Sequence, residues 1–475
     1  LPNLVWFRRD LRTYDNPALF EACQHSNSGV IALFIITPKT WLKHAMSAIQ
    51  VTFLLSHLHE LSKRLESLNI PLLIREVPSF EESYQVIEEL ILTLNIEGLY
   101  FNRQYEFDEQ RRDHTICAKL EDTGRDVYLY HDQVIIPPER ICNQQQEPFK
   151  VFSPFKKKWL STVAHYYKTP LLNPPVQLKL TTKPDKVPSH VMGFTPTNMT
   201  HLPQPGEEAA IQKLTTFCNG PIQDYQTTRD FPALNATSHL SPYLALGVLS
   251  PQQCITAVMQ EQQLTFLDFF NPTGPGTWVN ELIWREFYKM IVFYFPDVCK
   301  HKPFKLSTEK LNWNRDEGLF TKWCQGQTGF PLVDAAMRQL QQTGWMHNRL
   351  RMVTAMFLSK ILFIDWRLGE RYFSEQLIDT DFSANNGGWQ WSASTGTDAV
   401  PYFRIFNPIT QSERFDKNGD FIRAFCQELA ALDSKTIHDP YANGKSPLAL
   451  NYPEKIIDYK KMREQTLSAF KLLRL

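Results

Sequence analysis

Over its first 130 residues the chain alternates short apolar runs with amphipathic stretches, and that alternation leaves little choice of architecture. The runs at 4–7, 30–36, 71–77, 98–101 and 127–130 are short and almost wholly apolar, and read as buried strands. Between them, 47–68 reads as a helix, with Ile49, Phe53, Leu54, Leu58, Leu61, Leu65 and Leu68 in one stripe. Ser47 and Gln50 are spaced as a capping box at its start. Residues 80–94 predict a second helix with an acidic outer face. Strands alternating with helices imply parallel pairing, so 1–130 is expected to be an α/β parallel-sheet (Rossmann-like) domain covered on both faces. No Gly-x-Gly-x-x-Gly or Walker-type loop follows the first strand, which leaves dinucleotide or nucleoside-triphosphate binding there without support.

The pattern then changes twice. Eight of the 31 prolines fall between Pro170 and Pro205, among Ser, Thr and Lys, so 131–204 reads as a long interdomain linker lying over the surface. Phe149, Phe152, Phe155 and Trp159 are its candidate anchors, and Lys156–Lys158 reads as solvated surface rather than a DNA contact. From 205 to 475 the helical period dominates, with helices expected at 207–218, 251–262, 278–295, 332–342, 348–362, 369–377 and 458–473 and no convincing strand. A large all-α C-terminal domain follows.

Composition excludes several classes. The eight cysteines are scattered without Cys-x-x-Cys spacing, which argues against a zinc site or a disulfide framework and predicts a reducing, cytoplasmic setting. No apolar run is long enough to span a bilayer, and no basic-then-apolar leader precedes the first strand. Lys plus Arg equals Asp plus Glu at 50 each, so a nucleic-acid partner must be argued from local clustering rather than net charge.

The chemistry concentrates in 378–406, which is neither helix-periodic nor strand-alternating and is expected to be a polar loop. Between Asp379 and Trp391 it holds two carboxylates, three amides, three aromatics and Gly387-Gly388. Paired glycines let backbone approach a bound group, although a polar loop capped by structural tryptophans would use the same residues. On 278–295, Glu281, Trp284, Arg285 and Tyr288 share one helical stripe, and on 348–362 Asn348, Arg349 and Met352 share a side, leaving Leu350, Val353, Phe357 and Ile361 for the core. Such walls suit a planar ligand or a nucleobase; a buried polar network between helices is the competing reading.

Asn-Asn-Gly-Gly-Trp-Gln-Trp at 385–391, with Ser-Thr-Gly-Thr-Asp at 394–398 and Tyr-Phe-Arg-Ile-Phe-Asn-Pro at 402–408, resembles the flavin-binding heart of the DNA photolyase and cryptochrome family. Trp6-Phe-Arg-Arg-Asp-Leu-Arg12, Trp278-Val-Asn-Glu-Leu-Ile-Trp-Arg-Glu-Phe287 and Thr343-Gly-Trp-Met-His-Asn-Arg-Leu-Arg-Met352 match it too, so the likeness runs over essentially the whole chain. Within the family the chain is most similar to class I bacterial enzymes acting on cyclobutane pyrimidine dimers. The resemblance implies FAD, reduced in the active form, held by Tyr225, Thr237, Ser238, His239, Leu240, Ser241, Trp278, Arg285, Asn348, Arg351, Asp379, Thr380, Asp381 and Asn385, with Arg351 pairing with Asp379. Asn385 takes the place facing the reactive central-ring nitrogen, where plant-type cryptochromes usually carry Asp, and so favours repair.

By the same resemblance Arg229, Glu281, Trp284, Asn348, Arg349, Met352, Trp391 and Arg404 surround a dimer flipped out of ultraviolet-damaged DNA, single- or double-stranded. Trp284 and Trp391 offer flat faces, Arg349 a fixed cation, and Glu281 a hydrogen bond and, if kept protonated by desolvation, a proton. Met352, where enzymes repairing (6-4) lesions use His, points to cyclobutane dimers. Trp389, Trp366 and Trp313 match the family's chain of tryptophans for photoreducing the flavin. A methenyltetrahydrofolate antenna is implied at His44, Asp108, Glu109, Cys299 and Lys300, with Trp41 a further wall; Asp108 departs from the usual Asn and brings a charge where an N–H donor is expected.

The expected activity is therefore light-dependent dimer repair by electron transfer from excited reduced FAD, a carbon–carbon lyase reaction by a monomer with no metal and no membrane partner. The alternative is a cryptochrome-type blue-light receptor, which usually carries a tail beyond the helical domain, whereas this sequence stops at Leu475. A flavoprotein or single-strand-binding module without photochemistry is opposed by Glu281, Asn385 and the three tryptophans.

Overall fold

The computed structural model describes residues 1–442 and 450–473; the remainder of the expected 205–475 helical region, 443–449 and 474–475, lies outside the described residues. The chain divides into two compact units: Leu1–Gln223 with Ser238–Pro296 and Ile378–Asp381, and Asp224–Thr237 with Asp297–Leu377 and Phe382–Leu475.

In the first unit all five expected strands form: β1 (Asn3–Phe7), β2 (Val30–Ile36), β3 (Leu72–Glu76), β4 (Gly98–Asn102) and β5 (Asp126–Tyr130). They pair in the order β3-β2-β1-β4-β5, every pair parallel. Parallel pairing demands crossovers, and the helices Pro17–Gln24, Ala48–Ser67, Ser83–Leu94 and Phe107–Asp122 supply them. Burial on both faces explains why β1, β2 and β4 read as continuous apolar runs rather than alternating ones.

The capping box at Ser47 is only half made. Ser47 accepts from the Gln50 backbone N–H at 3.0 Å, but the Gln50 side chain does not return to it. Its Nε2 donates to the carbonyls of Ile378 and Thr380, so a tertiary bond has taken the group that a local motif would use.

The linker expectation also needs correction, because 131–204 contains a fifteen-residue helix, Phe152–Tyr166. Its stripe of Phe152, Phe155, Trp159 and Val163 is buried, so the four anchors proposed from sequence include one face of a helix. Glu286 secures it: the carboxylate accepts from Trp159 Nε1 at 2.6 Å and from the Ile135 and Ile136 N–H groups at 2.6 and 3.4 Å. Lys157 and Lys158 are exposed as expected, while Lys156 is half-buried and senses the charge of Glu281.

The same unit contains Glu207–Cys218, Pro251–Gln262 and Gly274–Tyr294. The last begins a turn before the expected 278. Thr273 caps it through Gly276 N–H at 3.1 Å, and a Cβ on Gly274 would stand 2.1 Å from the Ile222 carbonyl, an approach only glycine permits. Apolar periodicity begins later than the helix does because its first turn is packed backbone to backbone.

The second unit is helical. Among the described residues its one strand-like feature is an isolated bridge between Asn314 and Ile364. Pro331–Thr343, Asn348–Met356, Trp366–Gln376, Phe382–Ala393 and Tyr459–Leu472 carry most of it, with Glu317–Cys324, Pro408–Phe415 and Asp420–Phe425, none of which the periodicity located. The expected 348–362 helix is α-helical only to Met356 and then widens into a π turn, Phe357–Ile361. Leu350, Val353, Phe357 and Ile361 enter the core as expected, beside Trp323, Phe373 and Trp389.

The largest difference lies in 378–406. Phe382–Ala393 is a helix, not a loop. Its two glycines cost roughly 1 kcal/mol each relative to alanine. Its polar Ser383, Asn386, Gln390 and Ser392 are buried, so no apolar stripe advertises it. Tertiary bonds replace propensity: Asn386 Nδ2 donates to Glu370 Oε1 at 2.8 Å, Gln390 Nε2 to Asn386 Oδ1 at 2.9 Å, and Phe304 N–H to Gln390 Oε1 at 2.8 Å.

Candidate functional site

In the first unit, one helix carries four of the residues singled out. On Gly274–Tyr294, Trp278 is buried against Phe217, with ring centroids 5.3 Å apart, while Glu281, Trp284 and Arg285 are half-buried. Trp284 stacks on Phe152 at 3.6 Å with the planes 7° apart, so one face is backed and the stacking role falls to the other. Arg285 donates to the Gln133 carbonyl. Phe152 was singled out only as a packing residue, since nothing in the sequence links it to a tryptophan 132 positions away.

The turn Ser238–Ser241 also lies in this unit. His239 adopts a left-handed conformation at φ 51°, and Leu240 N–H donates to Ser238 Oγ at 3.4 Å. Burial pushes the His239 imidazole below its ordinary range, against the pull of Asp379. Asp379 is buried, and Thr380 and Asp381 are half-buried beside it. Asp381 Oδ2 receives Lys289 Nζ at 2.6 Å.

The antenna candidates His44, Asp108 and Glu109 come together. His44 places Nε2 3.0 Å from Asp108 and Nδ1 3.6 Å from Glu109. Lys43 at 3.0 Å and Arg111 at 3.2 Å add to the cations around Asp108. Burial opposes its ionisation, but hydrogen bonds from His44 and Lys43 hold the Asp108 carboxyl below its ordinary range. The charge that departs from the usual Asn is thus neutralised within the chain. Trp41 packs edge-on to Phe34 and Phe194.

In the second unit, Cys299 is half-buried and Lys300 is exposed, 3.5 Å from Asp297. Tyr225 is buried with the Arg229 guanidinium 5.5 Å from its ring centroid. The Thr237 hydroxyl is buried without a partner, an arrangement that costs about 1–3 kcal/mol unless a bound group satisfies it and that fits a phosphate oxygen. Arg351 donates to the Met346 carbonyl at 2.7 Å.

Asn348 is exposed at the start of its helix, and Arg349 and Met352 are half-buried. Arg349 is clamped: Nη2 lies 2.9 Å from Asp230 Oδ1 and the guanidinium 4.6 Å from the Phe415 ring centroid. Asp230 also stands 3.8 Å from Arg229 Nε, and only its place next to Arg229 in sequence hinted at it. Arg404 is exposed, and its carbonyl accepts from Lys360 Nζ at 3.2 Å. Lys360 is fully buried in the π turn, where burial and nearby Lys305 push its ammonium down to about 7. Trp391 is half-buried.

Asn385 is held from behind. Its Nδ2 donates to the Glu370 carbonyl and to Ser374 Oγ, each at 3.0 Å, so Oδ1 is the group it can offer a ligand. A Cβ built on nearby Gly388 meets nothing within 4 Å. The Glu370 carboxyl lies beneath this segment, and burial pushes it up to about 7 despite the bond from Asn386. A carboxyl whose folded value lies above its unfolded one binds its proton more tightly when folded, so this group's contribution falls as pH rises from about 4.5 to about 7. Urea unfolding of wild type is expected to lose about 2–3 kcal/mol from this source across that window. Glu370→Gln should show a flatter profile there, because the amide cannot ionise yet can still accept from Asn386.

Trp389 and Trp366 are buried and Trp313 is half-buried. Trp389 meets Phe373 at 4.9 Å and Trp323 at 6.0 Å, both edge-on.

Two family models match the sequence: one described as DNA photolyase over residues 3–175, the other as the FAD binding domain of DNA photolyase over 278–472. The chain is 44% identical to the deoxyribodipyrimidine photo-lyase of Escherichia coli (strain K12) over 477 residues, covering 99% of each. A class III photolyase from Agrobacterium tumefaciens matches with TM-score 0.88 at 33% identity, covering 100% of this chain and 98% of that one. A Synechocystis cryptochrome matches with TM-score 0.86 at 26% identity, covering 98% and 99%. Enzyme and receptor backbones fit almost equally well, so residues, not fold, must separate repair from signalling.

Proposed function

The chain belongs to the DNA photolyase family, and from that premise we propose how its residues carry out the family's reaction, the light-dependent repair of cyclobutane pyrimidine dimers. It is a deoxyribodipyrimidine photo-lyase with an FAD binding domain, acting on ultraviolet-damaged DNA. Reduced FAD, when bound, supplies the light-driven electron that opens the two cyclobutane bonds and takes it back once they are broken. The protein's part is to bind, orient and tune.

The observation that carries the repair reading is Asn385. With its N–H groups committed to Glu370 and Ser374, its oxygen is left as the uncharged acceptor that it would offer a bound flavin, adding no negative charge against the reduced form. Thr237 offers its hydroxyl to the diphosphate, with the turn at Ser238, His239, Leu240 and Ser241 alongside. Tyr225, Trp278, Arg285, Asn348, Arg351, Asp379, Thr380 and Asp381 are the remaining cofactor contacts.

For the dimer, Trp284, backed by Phe152, offers a flat ring, and Trp391 offers another. Arg349, aimed by Asp230, and Arg404, whose backbone Lys360 holds, meet phosphate or developing charge, with Arg229 nearer the backbone. Glu281 hydrogen-bonds the flipped base edge, and Met352 supplies an apolar wall where no acid is needed. His44, Asp108 and Glu109 hold a folate antenna. The protein works as a monomer in the cytoplasm on single- or double-stranded DNA, with an antenna-binding part at 1–130 and a FAD- and DNA-binding part at 205–475, joined by a segment, 131–204, that carries the helix Phe152–Tyr166.

The test is direct. Dithionite-reduced protein is mixed with dimer-containing oligothymidine and illuminated with blue light, and the ultraviolet absorbance of restored thymines is followed. Recovery supports repair; binding that survives illumination with no recovery favours a receptor. Glu281→Ala is expected to cut repair per photon by at least about tenfold, below the usual range for a lost acid–base group, with flavin content unchanged. An unaltered yield removes Glu281 from the mechanism.

A further inference from the structure

Ile378–Asp381 clusters with the first unit, although the chain on both sides of it belongs to the second. Three of its four residues, Asp379, Thr380 and Asp381, are assigned to the cofactor, so whatever fixes this segment fixes part of the flavin site. Two side chains from distant elements do so.

Gln50, in the first turn of Ala48–Ser67, is fully buried and donates Nε2 to the carbonyls of Ile378 at 3.1 Å and Thr380 at 2.9 Å. These two carbonyls flank Asp379, so one amide sets the backbone on both sides of that carboxylate. Gln50 Oε1 is itself buried without a partner, at a cost of about 1–3 kcal/mol. Lys289, near the end of Gly274–Tyr294, is 2% exposed, with Nζ 2.6 Å from Asp381 and 3.4 Å from Glu106. It continues the stripe of Glu281 and Arg285 by one further step of four, yet neither its burial nor its partner can be read from that spacing. Arg9 is close enough for Glu106, Glu109 and Asp381 to act on it, so two cations face three carboxyl groups. Removing Lys289 leaves Arg9 alone against Glu106 and Asp381, and so increases the uncompensated negative charge next to Asp381.

We propose that Gln50 and Lys289 are the positioning residues of the flavin-binding segment, Gln50 through its backbone and Lys289 through the charge and aim of Asp381. This rests on the assignment of Asp379, Thr380 and Asp381 to FAD. The two act differently. Loss of Gln50 loosens backbone and weakens flavin binding alike in both oxidation states. Loss of Lys289 leaves a carboxylate uncompensated, which penalises a reduced, anionic flavin more than an oxidised, neutral one.

The experiment measures FAD dissociation constants in the oxidised and dithionite-reduced states, together with apoprotein melting, for Gln50→Met, Lys289→Met and Lys289→Arg. Gln50→Met is expected to bind both states about tenfold more weakly, a factor worth about 1.4 kcal/mol. Lys289→Met should lose about tenfold more affinity for the reduced state than for the oxidised, a midpoint potential about 30 mV more negative for a two-electron couple. Lys289→Arg should restore both. Should Lys289→Met fail to fold, Lys289→Met with Asp381→Asn is compared with Asp381→Asn alone, since removing both charges is expected to recover folding and abolish the redox preference. Wild-type flavin affinity in Gln50→Met and Lys289→Met, or apoprotein melting that falls in step with flavin loss, overturns the proposal. No damaged DNA enters these measurements, so their failure leaves the repair assay standing, and a failed repair assay with normal flavin retention counts against the substrate assignment alone.

Discussion

Asn385→Asp is expected to cost about 2 kcal/mol of stability and to weaken the protein's preference for reduced over oxidised FAD by at least about tenfold. Two effects combine. Asn385 donates to the Glu370 carbonyl and to Ser374 Oγ, and a carboxylate can donate to neither; it would set its own oxygens against a carbonyl oxygen. The second effect acts through charge. An added carboxylate beside a reduced, anionic flavin is repelled by it, and in a half-buried position that repulsion is only partly screened. Equilibrium urea unfolding of the apoprotein reads the first effect, and spectroelectrochemical titration of the flavin the second. If the Asp variant keeps wild-type stability and potential, Asn385 does not serve as the neutral acceptor, and the structural case for repair over signalling is lost.

Trp313→Phe should slow photoreduction of oxidised flavin by at least about a hundredfold, equivalent to about 3 kcal/mol on the barrier, and leave dimer repair by chemically reduced enzyme intact. Trp389 and Trp366 are 2% and 1% exposed, whereas Trp313 is half-buried and so is the member that can exchange charge and protons with water. Phenylalanine keeps the packing but is far harder to oxidise than indole. Two controls sharpen the test. Trp323 is fully buried and touches Trp389, so Trp323→Phe should photoreduce normally if Trp366, and not Trp323, carries the charge onward. Gly369→Ala should impair photoreduction without altering any tryptophan, because a Cβ there would lie 2.2 Å from the Trp389 ring and 2.6 Å from Leu358. Normal transient absorption of the flavin in Trp313→Phe would falsify the assigned route.

Much of the design was legible in one dimension where local rules act alone. The five strands were found because a doubly covered sheet needs continuous apolar runs, and Glu207–Cys218 and Pro251–Gln262 because each lays one stripe on a core. The family was legible because Asn385 to Trp391 and the flanking motifs are unusual strings. Phe382–Ala393 was missed for the opposite reason: its buried face is polar and its bonds go to Glu370 and Phe304, which no periodicity can express. Phe152–Tyr166 was lost inside a proline-rich stretch whose average composition outweighed a short apolar stripe.

The sequence by itself determined the parallel sheet, the helical C-terminal part and the kinds of side chain available for binding a flavin and a damaged base. Only the tertiary structure decided which of them are held and by what: Gln50 turned from its cap to Ile378 and Thr380, Lys289 set against Asp381, Asp230 against Arg349, and Glu370 beneath Asn385 and Asn386. Local pattern reports which face of an element is apolar. A buried polar group is positioned by partners far away in sequence, and those partners become visible only when the chain is folded.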